Sequence, residues 1–249
     1  MTDGISQLRQ PVGVAALIVA AGRGTRMGGA MPKQYAPLNG PCALRRSVEA
    51  FLAIRRIDVV RVVIHPDDRP RYDEAMAGLR DPRVLAPQDG GSSRASSVHL
   101  GLESLAPARP DRVLIHDAAR PFVPAFVIDR VIDALDRSEG ACAALPLVDA
   151  LWQTENGHAM TSVPREGLWR AQTPQGFAFG RLLDAHRRGD GRAADDVAVA
   201  RADGIGVILV EGHEGNYKIT TAADYARALA ETAPPGRSSL RLVEESGRP

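Results

Sequence analysis

Lysine is nearly missing from this chain of 249 residues: Lys and Arg together number 31, yet only Lys33 and Lys218 are lysines. Arginine serves almost everywhere else. The two cations differ where space is tight, because lysine offers a compact point charge with rotatable donors and arginine a planar fork. A crowded phosphate site is one such place, with chance retention as the plainer alternative. Cysteine is equally scarce. Cys42 and Cys142 lack CxxC spacing, which argues against a zinc site or disulfide scaffold and predicts buried, reduced thiols. The six histidines do not cluster, and no HExxH occurs. Strong net charge is missing too: at +1, nucleic acid or an anionic membrane is not expected as the main partner, and any positive potential must be local. The longest apolar runs, such as Val14 to Ala21, are far too short to span a bilayer, and no basic n-region with an apolar h-region opens the chain. A cytoplasmic location is expected. What remains, 44% hydrophobic and 24% charged residues, is ordinary for a globular protein long enough for one large α/β domain.

The stretch that organises the rest is LIVAAGRGTRMGGAMPK, from Leu17 to Lys33. Val14 to Ala20 is a short apolar run rich in Val and Ile and reads as a buried strand. Gly22, Gly24, Gly28 and Gly29 then permit a sharp turn and let backbone amides approach a ligand, while Arg26 and Lys33 make the loop cationic. A strand running into such a loop suits phosphate groups at the carboxyl edge of an open sheet. It is neither a dinucleotide fingerprint nor a P-loop: position 27 is Met where GxGxxG would end, and no Gly-Lys-Ser or Gly-Lys-Thr follows. For the glycines alone, a surface loop with incidental Arg and Lys is the competing reading.

Further along, residues 1–12 read as a flexible leader. Ala43 to Ile54 carries Leu44, Val48, Phe51 and Leu52 at helical spacing, and Val59 to Ile64 is a continuous β-branched run that predicts a second parallel strand. A polar helix is expected over Asp68 to Leu79 and a short strand over Arg83 to Ala86. The segment Gly90-Gly91-Ser92-Ser93-Arg94-Ala95-Ser96-Ser97 leads into a helix, Val98 to Leu105, with Leu100, Leu102 and Leu105 expected on its apolar side. One serine could cap that helix, and the run as a whole could close over a base or ribose. Arg112 to Ile115 reads as a strand that delivers Asp117 and Arg120 to the ligand edge, where a helix-capping Asp is the alternative. Pro124 to Arg137 is an amphipathic helix carrying Phe126, Val127, Val131, Ile132 and Leu135, followed by a strand at Ala141 to Leu145. Between Val148 and Arg170, both tryptophans (Trp152 and Trp169) flank a turn at Glu155-Asn156-Gly157, predicting an extended hairpin arm. Such an arm has little local core, so a partner subunit is expected to cover its aromatics. After Thr173-Pro174-Gln175-Gly176 come helices at Gly180 to Arg187 and Ala194 to Arg201 and a strand at Val207 to Val210. Asn216 to Thr221 then places Lys218 just before an Ala222 to Ala230 helix, and residues 233–249 read as a disordered tail.

With those segments placed, AAGRGTRM with PKQY, GGSSRASSV, HDAARPF, REGLWRAQTPQGF, ADDVAVA and NYKITT together resemble the 2-C-methyl-D-erythritol 4-phosphate cytidylyltransferase family, within the wider sugar nucleotidyltransferases. The resemblance covers about Val14 to Leu229. It implies an α/β fold with a Rossmann-like open, mostly parallel twisted sheet, helices on both faces and a protruding β-hairpin arm. The nucleotidyltransferase domain would span 13–232, with a dimerising arm at 146–171. The implied reaction transfers a cytidylyl group from CTP to the polyol phosphate, releases pyrophosphate, and belongs to non-mevalonate isoprenoid synthesis. By the same resemblance Arg26 and Lys33 stabilise the transition state, and Arg165 and Lys218 position the attacking phosphate. Ala20, Ala21, Gly22, Gly24, Gly91 and Ser97 line the nucleotide pocket, while Asp117, Arg120 and Thr173 hold the alcohol and its surroundings, some of them across the dimer.

The chemistry suits these residues. An anionic phosphate oxygen must attack the α-phosphorus of an anionic triphosphate, so positioning and charge neutralisation are the main needs and no strong general base is required. Magnesium is expected, bound chiefly by the nucleotide and water, with no protein ligand named. Two hydroxyls that the family commonly carries are absent: the arm reads Asp149-Ala150-Leu151-Trp152, and Ala194 precedes Asp195-Asp196. Both changes lie on the acceptor side. A cytidylyltransferase for another polyol phosphate, such as ribitol 5-phosphate, is therefore the nearest alternative. A non-catalytic nucleotide-binding regulator is a more distant one, and a glycosyltransferase of similar fold lacks a DxD motif.

Overall fold

The protein, seen in a computed structural model, is described over residues 12–23 and 31–234. Arg26 and Gly24 lie outside those residues, as do the leader up to Pro11 and the tail from Pro235. Val12, assigned to the leader, is buried, and its carbonyl accepts from the Asp111 amide, so this residue belongs to the folded domain.

Nine strands and seven α-helices are present among the described residues: β1 (Val14–Ala20), α1 (Ala43–Leu52), β2 (Val59–Ile64), α2 (Arg69–Ala75), β3 (Gln88–Asp89), α3 (Arg94–Leu105), β4 (Arg112–Asp117), α4 (Ala125–Ala134), β5 (Gly140–Pro146), β6 (Leu151–Glu155), β7 (His158–Val163), β8 (Trp169–Ala178), α5 (Phe179–Arg188), α6 (Asp196–Ala202), β9 (Val207–Glu211) and α7 (Ala222–Glu231). Seven strands form one sheet in the order β3-β2-β1-β4-β8-β5-β9, and β6 and β7 form a separate two-stranded ribbon. Every pairing in the large sheet is parallel except those of β8, which runs antiparallel to β4 and β5.

Side chains of β1 alternate between two cores, as a strand buried on both faces requires. Ala16, Ile18 and Ala20 pack with Leu44, Val48 and Phe51 of α1 and Val127 and Val131 of α4. Ala15 and Leu17 pack on the other face with Val98, Leu102 and Leu105 of α3 and Leu182 of α5. Both cysteines are buried free thiols, and burial pushes Cys142 up to about 12.

Some local expectations fail for identifiable reasons. Val84 makes a single bridge to Val60 instead of a strand over Arg83 to Ala86, because Pro82 and Pro87 bracket the segment and cannot donate to a ladder. The polar helix is only Arg69–Ala75, preceded by a 3-10 turn at Pro66–Asp68. Leu100 is 38% and Phe126 49% exposed, outside the apolar stripes assigned to them. Phe126 instead meets His213 edge-on and lies under the Arg130 guanidinium.

The largest omission is β8, whose Thr173-Pro174-Gln175-Gly176 is assigned no strand from sequence. Pro174 is nevertheless carried in an interior strand by a bulge. The pairing with β5 jumps from Cys142↔Gln175 to Ala144↔Ala171, so that three residues of β8, Gln172 to Pro174, face one of β5. Such a bulge bends the strand and re-aims its side chains.

Candidate active site

The sheet order decides where a ligand fits. From β1 the chain moves outward to β2 and β3, then returns to place β4 on the opposite side of β1. Crevices in open α/β sheets lie at the carboxyl ends of strands where the order reverses, here the ends of β1 and β4. A cleft of about 510 Å³ opens there, within the range of small-molecule sites. It is lined by Ala20, Ala21, Gly22 and Arg23 after β1, Lys33 and Gln34, the Gly91 to Arg94 turn with Ser97, Asp117 to Ala119 after β4, and Lys218 with Thr220.

Each wall has a local cause. Gln34, in the 3-10 turn Lys33–Tyr35, donates its amide to the carbonyls of Ala20 (2.6 Å) and Gly22 (3.0 Å), which ties the lysine-bearing turn to the end of β1. Ser93 caps α3 in a reciprocal box with Ser96. Ser97 Oγ accepts from the Gly91 amide at 3.1 Å and donates to the Ser93 carbonyl at 2.8 Å. Two of the four serines therefore form the cap and a third braces the turn, and the helix starts at Arg94, four residues before the expected Val98. Gly90 admits no side chain: a Cβ there would lie 2.7 Å from that of Ala21 and 2.8 Å from Ser97 Oγ, so the two glycine-rich turns approach backbone to backbone.

Opposite stands a cluster of charges. Asp117, the last residue of β4, receives Lys218 Nζ at 2.8 Å and Arg94 Nε at 3.3 Å, with Arg120 Nε at 3.8 Å. Burial alone would raise the Asp117 carboxyl, but Lys218, Arg94 and Arg120 outweigh it and hold the carboxyl well below the usual range. Arg94 also reaches the buried Asp196 at 2.9 Å, the first residue of α6, and Asp196 contacts the buried His186 at 3.1 Å. Burial opposes the Arg94 charge, yet the two carboxylates more than offset it and its pKa is raised.

The segment carrying Lys218 is held on both sides. Arg120 donates to the Asn216 carbonyl (2.7 Å), Asn216 Nδ2 to the Thr173 carbonyl (2.8 Å), and the Ile219 amide to the Ala119 carbonyl (2.9 Å). Gln172, in the β8 bulge, both donates to and accepts from the backbone of His213.

Among the residues singled out from sequence, Ala20, Ala21, Gly22, Lys33, Gly91, Ser97, Asp117 and Lys218 meet in this cleft. Arg120 and Thr173 lie behind Asp117, Thr173 through its hydroxyl on the Asp117 amide at 3.1 Å. Arg165 is elsewhere: it sits on the arm, bonded to the Val148 carbonyl. Arg94, Gln34, His65 and Arg23 were not singled out. Arg94 lay inside the quoted GGSSRASSV and Gln34 inside PKQY, but only the fold shows what they touch. Arg23 and His65 meet across 42 residues at 2.6 Å, with Asp67 completing the contact.

The chain matches the 2-C-methyl-D-erythritol 4-phosphate cytidylyltransferase family over residues 14–232. The 2-C-methyl-D-erythritol 4-phosphate cytidylyltransferase of Cereibacter sphaeroides is 50% identical over 214 residues, 86% of this chain and 94% of that protein. A bifunctional enzyme IspD/IspF of Paramagnetospirillum magneticum is 49% identical over 221 residues, and there the match takes up 88% of this chain but only 57% of the relative. The crystal structure of 2-C-methyl-D-erythritol 4-phosphate cytidylyltransferase from Thermus thermophilus is 35% identical with a TM-score of 0.71, covering 89% of this chain and 99% of that one. The chain belongs to the 2-C-methyl-D-erythritol 4-phosphate cytidylyltransferase family.

Proposed function

We propose that this protein transfers the cytidylyl group of CTP to 2-C-methyl-D-erythritol 4-phosphate, giving the cytidyl diphosphate alcohol and pyrophosphate. The observation that carries this reading is the meeting of a glycine-and-serine wall, Lys33 and the Lys218–Asp117–Arg94 cluster in one cleft at the switch point of the sheet. The cleft, at about 510 Å³, has room for a nucleotide, and the cations answer the two phosphate groups that must react. A phosphate oxygen of the acceptor attacks the α-phosphorus, the bond from that phosphorus to the bridging oxygen breaks, and pyrophosphate leaves with the electron pair. Lys33 and Arg26 offset the charge that develops on the triphosphate, and Lys218 orients the incoming phosphate.

Magnesium arrives with the nucleotide in this reading and, when bound, shares the triphosphate charge. Among the described residues lining the cleft the one carboxylate is Asp117, already committed to Lys218 and Arg94, and no group of three acidic, His or Cys residues could hold an ion. In this reading its ligands are chiefly the phosphates and water.

The arm is read as the dimer contact. Val148, Trp152, Met160, Leu168 and Trp169 are between 40% and 63% exposed along it, an apolar surface that a second copy would cover. Arg165 would then reach the partner's acceptor site rather than its own. A cytoplasmic location belongs to the same reading, because the enzyme must meet CTP. Among the described residues no helix is long and apolar enough to cross a membrane.

The test mixes protein, CTP and magnesium with either methylerythritol phosphate or ribitol 5-phosphate and follows pyrophosphate. Release with the first and not the second is expected. Preference for ribitol 5-phosphate would move the assignment to the alternative that the missing hydroxyls at Ala150 and Ala194 suggest, and nucleotide binding without release would make the protein a regulator. Lys33→Arg should lower kcat about a hundredfold, as loss of one oriented charge contact does. Near-normal turnover in that variant would end the argument from lysine retention.

A further inference from the structure

His116 is fully buried at the end of β4, one residue before Asp117, and its ring faces Phe51 at 4.9 Å. Its Nε2 lies 3.1 Å from the Arg120 carbonyl oxygen. A carbonyl only accepts, so the ring proton belongs on Nε2. A neutral imidazole then presents a bare Nδ1, and the atom 3.0 Å from it is Thr173 Oγ1. The threonine proton must point there. Oγ1 keeps its lone pairs, and one of them accepts the Asp117 amide at 3.1 Å. Every link follows from the first.

The ring's charge state agrees. Burial pushes the imidazole down to about 4; the bond to Arg120 and the Asp117 charge favour the proton, while the cations Arg120 and Lys218 oppose it. Thr173 is itself only 3% exposed, in the bulge of β8, so its single proton is spent inside the protein and is not offered to a ligand.

We propose that His116 is a positioning residue for the transfer: as the neutral Nε2–H tautomer it takes the Thr173 hydroxyl proton, so that Thr173 clamps the Asp117 backbone and Asp117 holds Lys218 and Arg94 in register with the reacting phosphates. The claim rests on the cytidylyltransferase reading of the cleft. It assigns Thr173 an indirect role, where the family resemblance implies a part in holding the alcohol and its surroundings. A histidine with no exposed atom thereby sets the aim of three cleft side chains.

Two measurements test it. Nitrogen-15 NMR of the histidine-labelled full chain at pH 7 should show His116 protonated at Nε2 and bare at Nδ1, and Thr173→Val should shift the Nδ1 resonance because its donor is gone. A proton on Nδ1, or an imidazolium, would overturn the proposal whatever the protein catalyses. In turnover assays with CTP and methylerythritol phosphate, Thr173→Ser should stay within about threefold of the parent. Thr173→Val should lose about tenfold or more in kcat with the acceptor KM nearly unchanged, the loss expected for one buried hydrogen bond that matters in the transition state. A Thr173→Val defect confined to the acceptor KM would instead make Thr173 a direct ligand and refute the relay. His116→Asn, whose Oδ1 can replace Nδ1 as acceptor, should outperform His116→Leu; equal losses would also refute it. If the parent fails to transfer to methylerythritol phosphate, the functional reading falls while the NMR result still decides the tautomer.

Discussion

Charge at single residues controls how this protein responds to acid. His116 resists protonation down to about 4 in the fold, whereas an unfolded histidine takes its proton near 6.5. Between those values the unfolded chain binds more protons, so stability falls as pH falls, by about 2 kcal/mol between pH 7 and pH 5 from this one group. Asp117, which faces it, stays ionised across that window because the cations around it hold its carboxyl well below the usual range. Below the ordinary carboxylate range Asp117 continues the trend, because its depressed pKa means that acid favours the unfolded chain. Urea unfolding of the parent and of His116→Asn at both pH values isolates the histidine, and the variant should show the flatter dependence. Parallel slopes would mean that His116 titrates normally in the fold.

At the scale of elements, α3 joins the core to the cleft. Its first turn supplies Arg94 and Ser97, and its third lies on β1 and β2 through Gly101. A Cβ at position 101 would stand 2.7 Å from both Leu17 methyls and from Val63 Cγ2, atoms of side chains with no exposed surface. Alanine favours a helix over glycine by about 1 kcal/mol, while overpacking a closed core costs about 1–3 kcal/mol. Here neither Leu17 nor Val63 has space to retreat, so the clash should win. Gly101→Ala is expected to lower Tm and, by lifting α3, to reduce kcat. A stabilised variant would show that helix and sheet separate more easily than the packing implies.

At the scale of the whole molecule, the proposed dimer stands on the arm. The ribbon β6–β7 turns at Asn156 and Gly157, both at positive φ, and has no buried residue. Among the described residues nothing covers the two exposed tryptophans, and Arg165 is held at the ribbon's base by the Val148 carbonyl. If a second copy covers them, dilution should lower specific activity as sedimentation shows monomer appearing. Trp152→Ala with Trp169→Ala should shift that midpoint to higher concentration, since an aromatic anchor is worth about 2 kcal/mol, or roughly thirtyfold in dissociation constant. A fully active monomer, or a double variant that dimerises like the parent, would contradict this account of the arm.

By itself the sequence determined β1, β2, β5 and β9 and the helices α1, α4, α5 and α7, because their apolar residues recur at the spacing that burial on a sheet face or helix stripe demands. It also marked part of the cleft lining, because a strand end followed by glycine, serine or an isolated lysine is a local pattern. Tertiary structure alone decided β8, since a strand containing Pro174 and Gly176 exists only where β4 and β5 pair with it and a bulge absorbs the proline. It alone decided that Leu100 and Phe126 face outward, that Arg94 joins Asp117 to Asp196, and that Arg165 stands apart from the cleft. The tautomer of His116 belongs to the same class. Its partners, Arg120 and Thr173, lie 4 and 57 residues away, and only folding brings a carbonyl to one ring nitrogen and a hydroxyl to the other.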